Sequence, residues 1–237
     1  MSLVSKINLP QHIAIIPDGN RRWARARGLK PWLGHEYGAK TLKEIAKEAI
    51  ANGVKYFTFW ASSEDNIIKR DPREVAFYFN LIKKSFEDFE KDGWAFDRQV
   101  KIDFMGSWEK MFPQAVKKIL YRIKEKTKNH SQHFLTFLLA YDGRSEILRA
   151  LEKISKDNPV TKVTPELLKD HLLTRDLPPV DLVIRTGGEP HWSAGFMMWD
   201  VADSQLYFTQ TLWPDFSKQE LTQALASYNT IERRFGA

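Results

Sequence analysis

Short apolar, β-rich runs alternate along this chain with stretches of helical periodicity, which confines the fold to crossover units around a mostly parallel sheet. The runs fall at 12–17, 55–61, 99–105, 134–141 and 181–185. Leu42, Ile45, Ala46, Ala49 and Ile50 recur at helical spacing, and Gly53 stands just beyond as a stop, so a helix is predicted over 38–52. Further helices are expected at 72–92, 112–128, 143–156, 165–174 and 217–228, several opened by Pro with Asp or Ser. The expected architecture is α/β, a single domain over 1–237 with a central, mostly parallel sheet of about six strands flanked by helices. In open sheets of this kind ligands bind outside the carboxyl ends of the strands. Four polar clusters fall at those predicted ends and are expected to form one cleft: Asp18 to Arg22, Ser62 to Asn66, Asp142 to Arg144, and Arg185 to Ser193.

The first run ends abruptly, since His12-Ile-Ala-Ile-Ile-Pro17 gives way to Asp18-Gly-Asn-Arg-Arg22-Trp23. A diphosphate site at a strand's end needs such residues. Gly19 turns without a Cβ penalty and brings backbone N–H groups close to an anion, while Arg21 and Arg22 fork onto phosphate oxygens. Asp18 is the odd member, because a carboxylate repels phosphate. A divalent cation between the two removes the conflict, and Mg²⁺ usually binds through one or two carboxylates plus substrate phosphates. On composition alone the same residues also read as a strand, an ordinary turn and a solvated basic helix start.

Composition narrows the classes. A chain of 237 residues buries a sizeable core, and no Pro/Gly/Ser-rich linker, low-complexity tract or repeat divides it. The lack of cysteine excludes disulfides, thiolate metal sites and a cysteine nucleophile, and it fits a reducing cytoplasm. No apolar run approaches the ~18 residues of a membrane span, and no signal-peptide core opens the chain, so a soluble, cytoplasmic protein is expected. The formal charge of +6 suits an anionic substrate, an acidic membrane surface or nucleic acid. No Arg/Lys-aromatic pattern concentrates on one element, which argues against nucleic acid.

Six motifs in order carry a resemblance. They are His12-Ile-Ala-Ile-Ile-Pro-Asp-Gly-Asn-Arg-Arg-Trp-Ala24, Gly34-His35 with Gly38, Ala61-Ser-Ser-Glu-Asp-Asn66, Tyr141-Asp-Gly-Arg144, Arg185-Thr-Gly-Gly-Glu189, and Leu206-Tyr-Phe-Thr with Leu212-Trp-Pro-Asp-Phe216. Over nearly its full length the chain resembles the cis-prenyltransferases of the undecaprenyl diphosphate synthase family. The resemblance implies the fold, a homodimer, Mg²⁺, and condensation of isopentenyl diphosphate onto an allylic diphosphate with a new cis double bond. It also implies membrane contact only through the greasy product. By the same resemblance Asp18 and Asn20 are the catalytic candidates, with Asp18 at the metal. The allylic diphosphate falls to Gly19, Asn20, Arg21, Arg22, Trp23, His35, Lys69 and Arg70, and isopentenyl diphosphate to Arg185, His191 and Ser193. Such chemistry needs cations and backbone donors where pyrophosphate leaves. The amide of Asn20 is a poor base, so a phosphate oxygen or water would accept the proton. Gly187 and Gly188 are expected to let main-chain N–H groups approach the second diphosphate.

The departures from the family pattern are specific. His191 stands where an arginine is usual, and its charge is conditional near neutral pH. Ala194 replaces an asparagine, and Gly195 reads as a one-residue insertion. Gln205 takes the place of a glutamate that helps bind the metal; Asp200 and Asp203 are the candidates to replace it, with surface solvation as their plainer reading. Val75, Phe79, Ile82, Phe86 and Phe89 form an apolar stripe on 72–92 beside the expected tunnel between sheet and helices. Phe77, Tyr78, Leu138 and Leu139 add bulk there, so a short or medium product is expected. The altered loop leaves irregular prenyl coupling or another acceptor as an alternative, and Gln205 leaves a non-catalytic or partner-dependent subunit.

Overall fold

A computed structural model describes residues 9–157 and 162–229. The chain runs β1 (His12–Ile16), α1 (Asn20–Ala26), α2 (Leu33–Ala51), β2 (Tyr56–Trp60), α3 (Glu64–Ile68), α4 (Pro72–Asp92), α5 (Trp94–Asp97), β3 (Val100–Met105), α6 (Trp108–Met111) and α7 (Gln114–Thr127). It continues through β4 (His133–Leu138), α8 (Gly143–Asp157), α9 (Pro165–His171), β5 (Leu182–Arg185), β6 (Gln205–Phe208), a 3₁₀ turn (Trp213–Asp215) and α10 (Lys218–Asn229). All six strands lie in one sheet in the order β3-β4-β2-β1-β5-β6, and every pairing is parallel. The chain leaves β1 toward β2 on one side and later returns to its other side as β5. The carboxyl ends of β1 and β5 therefore meet at a topological switch point, where Ile16 pairs with Arg185.

Each of the five apolar runs is a strand, and the sixth is β6. Its residues alternate between half-buried and exposed, as on the edge of a sheet, so no continuous apolar run announces it. The helix predicted to start at 38 starts at Leu33. Gly34 and Gly38 look like breakers in the sequence, yet they serve close helix packing. A Cβ at Gly34 would lie 1.9 Å from the Asn20 carbonyl oxygen, and one at Gly38 would lie 2.2 Å from Asn20 Oδ1. The helix 72–92 has its predicted bounds because Asp71 caps the Arg73 N–H and Pro72 occupies the first turn. The helix predicted to run to 174 ends at His171, where Leu172 turns extended.

Strand alternation divides the core in two. Ile13, Ile15, Phe57, Phe59, Leu135, Phe137 and Leu139 face α2, α4 and α7, whereas Ala14, Ile16, Leu138 and Val183 face the opposite layer with Phe196 and Met197. Among the described residues no helix is long and apolar enough to cross a membrane.

Candidate active site

The turn after β1 is held rigidly. The Asp18 carbonyl accepts bonds from Thr186 Oγ1 at 2.8 Å and from the Trp213 N–H at 2.9 Å. Gly19 opens α1 at φ +108°, and a Cβ there would collide with Leu212 at 2.7 Å, so both conformation and space demand glycine. The Asp18 carboxylate then meets Arg22 at 3.2 Å and Arg185 Nη2 at 3.0 Å. Arg185, buried at the end of β5, also donates through Nη1 to the His191 carbonyl at 2.6 Å and to Ser193 Oγ at 2.8 Å. Its Nε has no acceptor among the described residues, an unsatisfied cationic donor beside the cleft. Glu189 faces the same two arginines, 3.4 Å from Arg22 and 3.9 Å from Arg185.

A second charged group stands across the cleft. Glu74, in the first turn of α4, lies 3.3 Å from Arg70, 3.6 Å from His35 on α2 and 3.7 Å from Arg21 on α1. Its side chain is 5% exposed, against 32% for Asp18. His35 beside it, with Arg70 and Arg21, holds the Glu74 carboxyl below the usual carboxylate range against the opposing effect of burial. Burial holds the His35 imidazole below its ordinary value, despite the neighbouring carboxylate. Tyr78 is buried beside this group, and burial pushes its phenol up.

Both groups rim one cavity of about 1000 Å³. Asp18, Arg21, Arg22, His35, Arg70, Arg185 and Ser193 line its polar end. From there it runs between α2 and α4 over the sheet, past Phe77, Leu81, Leu135, Phe137 and Leu139 to Phe89 and Trp94. The result is an anion-binding mouth on an apolar interior.

The comparisons with known proteins agree with that shape. The family described as "Putative undecaprenyl diphosphate synthase" matches residues 16–236. The chain belongs to the undecaprenyl diphosphate synthase family. An isoprenyl transferase of Thermotoga maritima is 40% identical, with 97% of this chain and 98% of that protein covered. One from Thermus thermophilus is 39% identical over 96% of this chain and 89% of its own length. A geranylgeranyl-diphosphate-specific tritrans,polycis-undecaprenyl-diphosphate synthase of Thermoplasma volcanium is 35% identical, covering all of this chain and 92% of that protein. The crystal structure of lavandulyl diphosphate synthase from Lavandula x intermedia, in complex with dimethylallyl diphosphate, superposes with a TM-score of 0.90 at 29% identity, covering 97% and 99% of the two chains. The protein is thus a cis-prenyltransferase, an enzyme of chain elongation.

Not every residue assigned from the sequence reaches the cleft. Trp23 packs inward, its indole donating to Asp215 at 2.7 Å and lying against Tyr37, so it supports α1 and does not line the cavity. Lys69 points to solvent and pairs with Asp65 one turn back. Asp142 caps the first turn of α8 through the Arg144 and Ser145 N–H groups, which removes the Asp142–Arg144 cluster from the cleft. Ser63 and Asn66 form a capping box on α3 and line the cavity as well. The N–H groups of Gly187 and Gly188 are already bonded to the Thr211 and Thr209 carbonyls, so neither is free for phosphate. Gly187 is required for another reason, because a Cβ there would come within 2.6 Å of Arg22 Nη2. His191 lies outside the cavity lining but accepts at Nε2 from Ser193 Oγ at 3.1 Å and Arg185 at 3.3 Å. Leu138 faces the opposite layer, and of the two leucines only Leu139 borders the cavity.

The substitutes for the family's glutamate also fall elsewhere. Asp200 is buried against Lys169, and Asp203 is exposed on a turn. Gln205 pairs with Leu182, three residues before Arg185, which places it about 10 Å down the sheet from the cleft. The sequence reading missed Glu74, whose only signal was a carboxylate in the first turn of α4, four residues after Arg70.

A Mg²⁺ ion is implied by the family. Among the described residues no group of three or more His, Asp or Glu side chains could cage a metal alone. Mg²⁺ does not require such a cage when phosphate oxygens complete its shell. One partly exposed carboxylate, Asp18, facing an arginine-lined anion site fits that mode of binding.

Proposed function

We propose that this transferase holds an allylic diphosphate against Asn20, Arg21, Arg22, His35 and Arg70, and isopentenyl diphosphate against Arg185 and Ser193, with Asp18 between them. The carrying observation is the cavity itself, a charged mouth continuous with an apolar interior lined by Phe77, Leu81, Phe137 and Leu139. In the reaction the allylic C–O bond breaks, its electron pair leaves with pyrophosphate, a C–C bond forms to the isopentenyl alkene, and a proton passes from the new chain to a phosphate oxygen or water. Arg21, Arg22 and Arg70 stabilise charge developing on the leaving diphosphate. Glu74 sits behind Arg21, Arg70 and His35 and keeps them in place. Asn20 Oδ1, buried and without a donor among the described residues, is free to accept a hydrogen bond near the reacting carbons. Mg²⁺, held by Asp18 with phosphate oxygens, would neutralise further charge on the diphosphate.

Phe77 and Leu139 at the cavity wall support a short or medium product. A second copy of this chain is the partner proposed for the β6 edge, where Leu206 and Phe208 stand exposed, and membrane contact would come through the product alone. The test is incubation with labelled isopentenyl diphosphate, Mg²⁺ and allylic primers from C5 to C20, with products resolved by length. A ladder of cis-elongated products supports the reading; no incorporation with any primer, from folded protein, overturns it. The altered loop at His191 and Ala194 favours irregular coupling as a second reading, which a branched product would establish.

A further inference from the structure

The hydrogen-bond donors proposed for isopentenyl diphosphate are already engaged within the protein. Arg185 Nη1 donates to the His191 carbonyl at 2.6 Å and to Ser193 Oγ at 2.8 Å, and Nη2 donates to Asp18 at 3.0 Å and to His191 Nε2 at 3.3 Å. A guanidinium has five N–H groups, so the four on its Nη atoms each meet a protein acceptor, and the fifth, on Nε, is buried. Ser193 is in the same position. Its hydroxyl oxygen accepts from Arg185, and its one proton goes to His191 Nε2, 3.1 Å away. His191 therefore takes up two of the Arg185 donors and the Ser193 proton as well.

The tautomer of His191 follows from its partners. A guanidinium only donates, so the Nε2 that faces Arg185 carries no proton, and the ring proton sits on Nδ1, 3.7 Å from the Glu189 carboxylate. Three acceptors thus stand around the arginines where phosphate oxygens would go: Asp18, Glu189 and the His191 ring. The ring is the one a ligand displaces most easily. Its side chain is 56% exposed, against 49% for Glu189 and 32% for Asp18, and its bond to Nη2 is the longest of the four. It also brings no negative charge for the arginines to hold. The backbone on either side is fixed, since the His191 N–H donates to the Glu189 carbonyl at 2.9 Å and the Trp192 indole to the Phe196 carbonyl at 3.0 Å. The ring can swing out while the loop keeps its place.

We propose that His191 is a latch on the second diphosphate site: its imidazole stands in for a phosphate oxygen on Arg185 and Ser193, and isopentenyl diphosphate binds by pushing it aside. The identity of the ligand rests on the elongation reading above; the latch itself rests on which donors are engaged. The incoming diphosphate replaces two hydrogen bonds to a ring nitrogen with charge-assisted ones to its own oxygens. An arginine at position 191 could only donate and could not close the site in this way.

The test is the affinity for isopentenyl diphosphate, measured by calorimetry with Mg²⁺ present and the allylic site filled by a saturated alkyl diphosphate, which cannot ionise to a stabilised cation. His191→Ala removes the stand-in acceptor and should tighten binding about two- to tenfold, the scale of one hydrogen bond of ordinary strength. His191→Gln offers an amide oxygen to the same donors and should stay close to wild type. In turnover, His191→Ala should lower the Michaelis constant for isopentenyl diphosphate and leave that for the allylic primer where it was. Weaker binding in His191→Ala would make the ring a ligand of the diphosphate and overturn the proposal, and so would unchanged affinity. If isopentenyl diphosphate binds none of the three proteins, the elongation reading falls together with the latch, whereas a normal product ladder with no gain in His191→Ala overturns the latch alone.

Discussion

Two of the carboxylates that face arginines at the mouth of the cleft, Asp18 and Glu74, are built for opposite purposes. Asp18 is 32% exposed, lies on the turn after the central strand and meets Arg22 and Arg185 from the open side. Glu74 is 5% exposed and meets Arg21, Arg70 and His35 from behind. A carboxylate that substrate and metal can reach exchanges its partners on binding. One sealed beneath its cations keeps them and lends them direction. Similar charge clusters thus do different work because of depth, since burial raises the cost of every broken contact.

The largest expected effect breaks this comparison on its open side. Asp18→Ala should lower turnover by about a hundredfold or more, the scale of removing a preorganised electrostatic group. The melting temperature should fall only modestly, because the carbonyl of Asp18 anchors the turn and Glu189 still faces the buried Arg185 once the Asp18 carboxylate is gone. A large fall in melting temperature would mean that Asp18 is structural after all.

Glu74→Gln tests the buried side and should behave differently. It leaves Arg70 and His35 without their carboxylate, and destabilisation on the order of 1–3 kcal/mol is expected, the range for an unsatisfied buried partner. The Michaelis constant for the allylic substrate should rise, with a smaller change in kcat, because the cations lose their aim and not their charge. Equal loss in both parameters with unaltered stability would place Glu74 beside Asp18 in kind.

Acid sensitivity comes next in size. The Glu74 carboxyl is held low chiefly by His35, so its stabilisation is present above the unfolded carboxylate value and is lost as pH falls through the lower folded one. His35 is held low by burial, so below about pH 6.5 the unfolded chain takes up its proton first. Both slopes have the same sign, and stability should decline on acidification. In the His35→Gln, Glu74→Gln double variant that decline should flatten in urea titrations at stepped pH; an unchanged slope would detach these groups from the acid response.

The smallest effect is expected at Lys69. It pairs with Asp65 on an exposed helix face, and an exposed pair of this kind contributes at most about 0.5 kcal/mol. Lys69→Ala should leave the Michaelis constant for the allylic substrate where it was. A rise would mean that the loop carries Lys69 into the cleft when substrate binds.

Much of the fold was legible because the core strands are continuous apolar runs and the long helices carry strong periodicity. The edge strand β6 was not, since half its face is solvated and periodicity fades there. The helix expected from 38 begins at Leu33, and Gly34 and Gly38 lie inside it because the missing side chains admit Asn20. At the cleft, Asp18, Arg22, His35 and Arg185, which the motifs contain, and Arg70, which the resemblance added, line one cavity. The same reading failed for Trp23, Lys69 and the Gly187–Gly188 amides, whose partners come from segments far along the chain or from a helix face that only the folded backbone orients.

By itself the sequence determined the chemistry available and the ends of strands where it would collect, because a parallel sheet must deliver its β-to-α turns to one edge. Only the tertiary structure decided depth and facing. Leu138 and Leu139 are adjacent and alike in the sequence, but strand alternation sends one into the opposite core and the other to the cavity. Asp18 and Glu74 are both carboxylates four residues from an arginine, at Arg22 and Arg70, and only the packing of α1, α2 and α4 leaves one open and seals the other. Burial and orientation depend on contacts between distant segments, and those contacts exist only once the chain has folded.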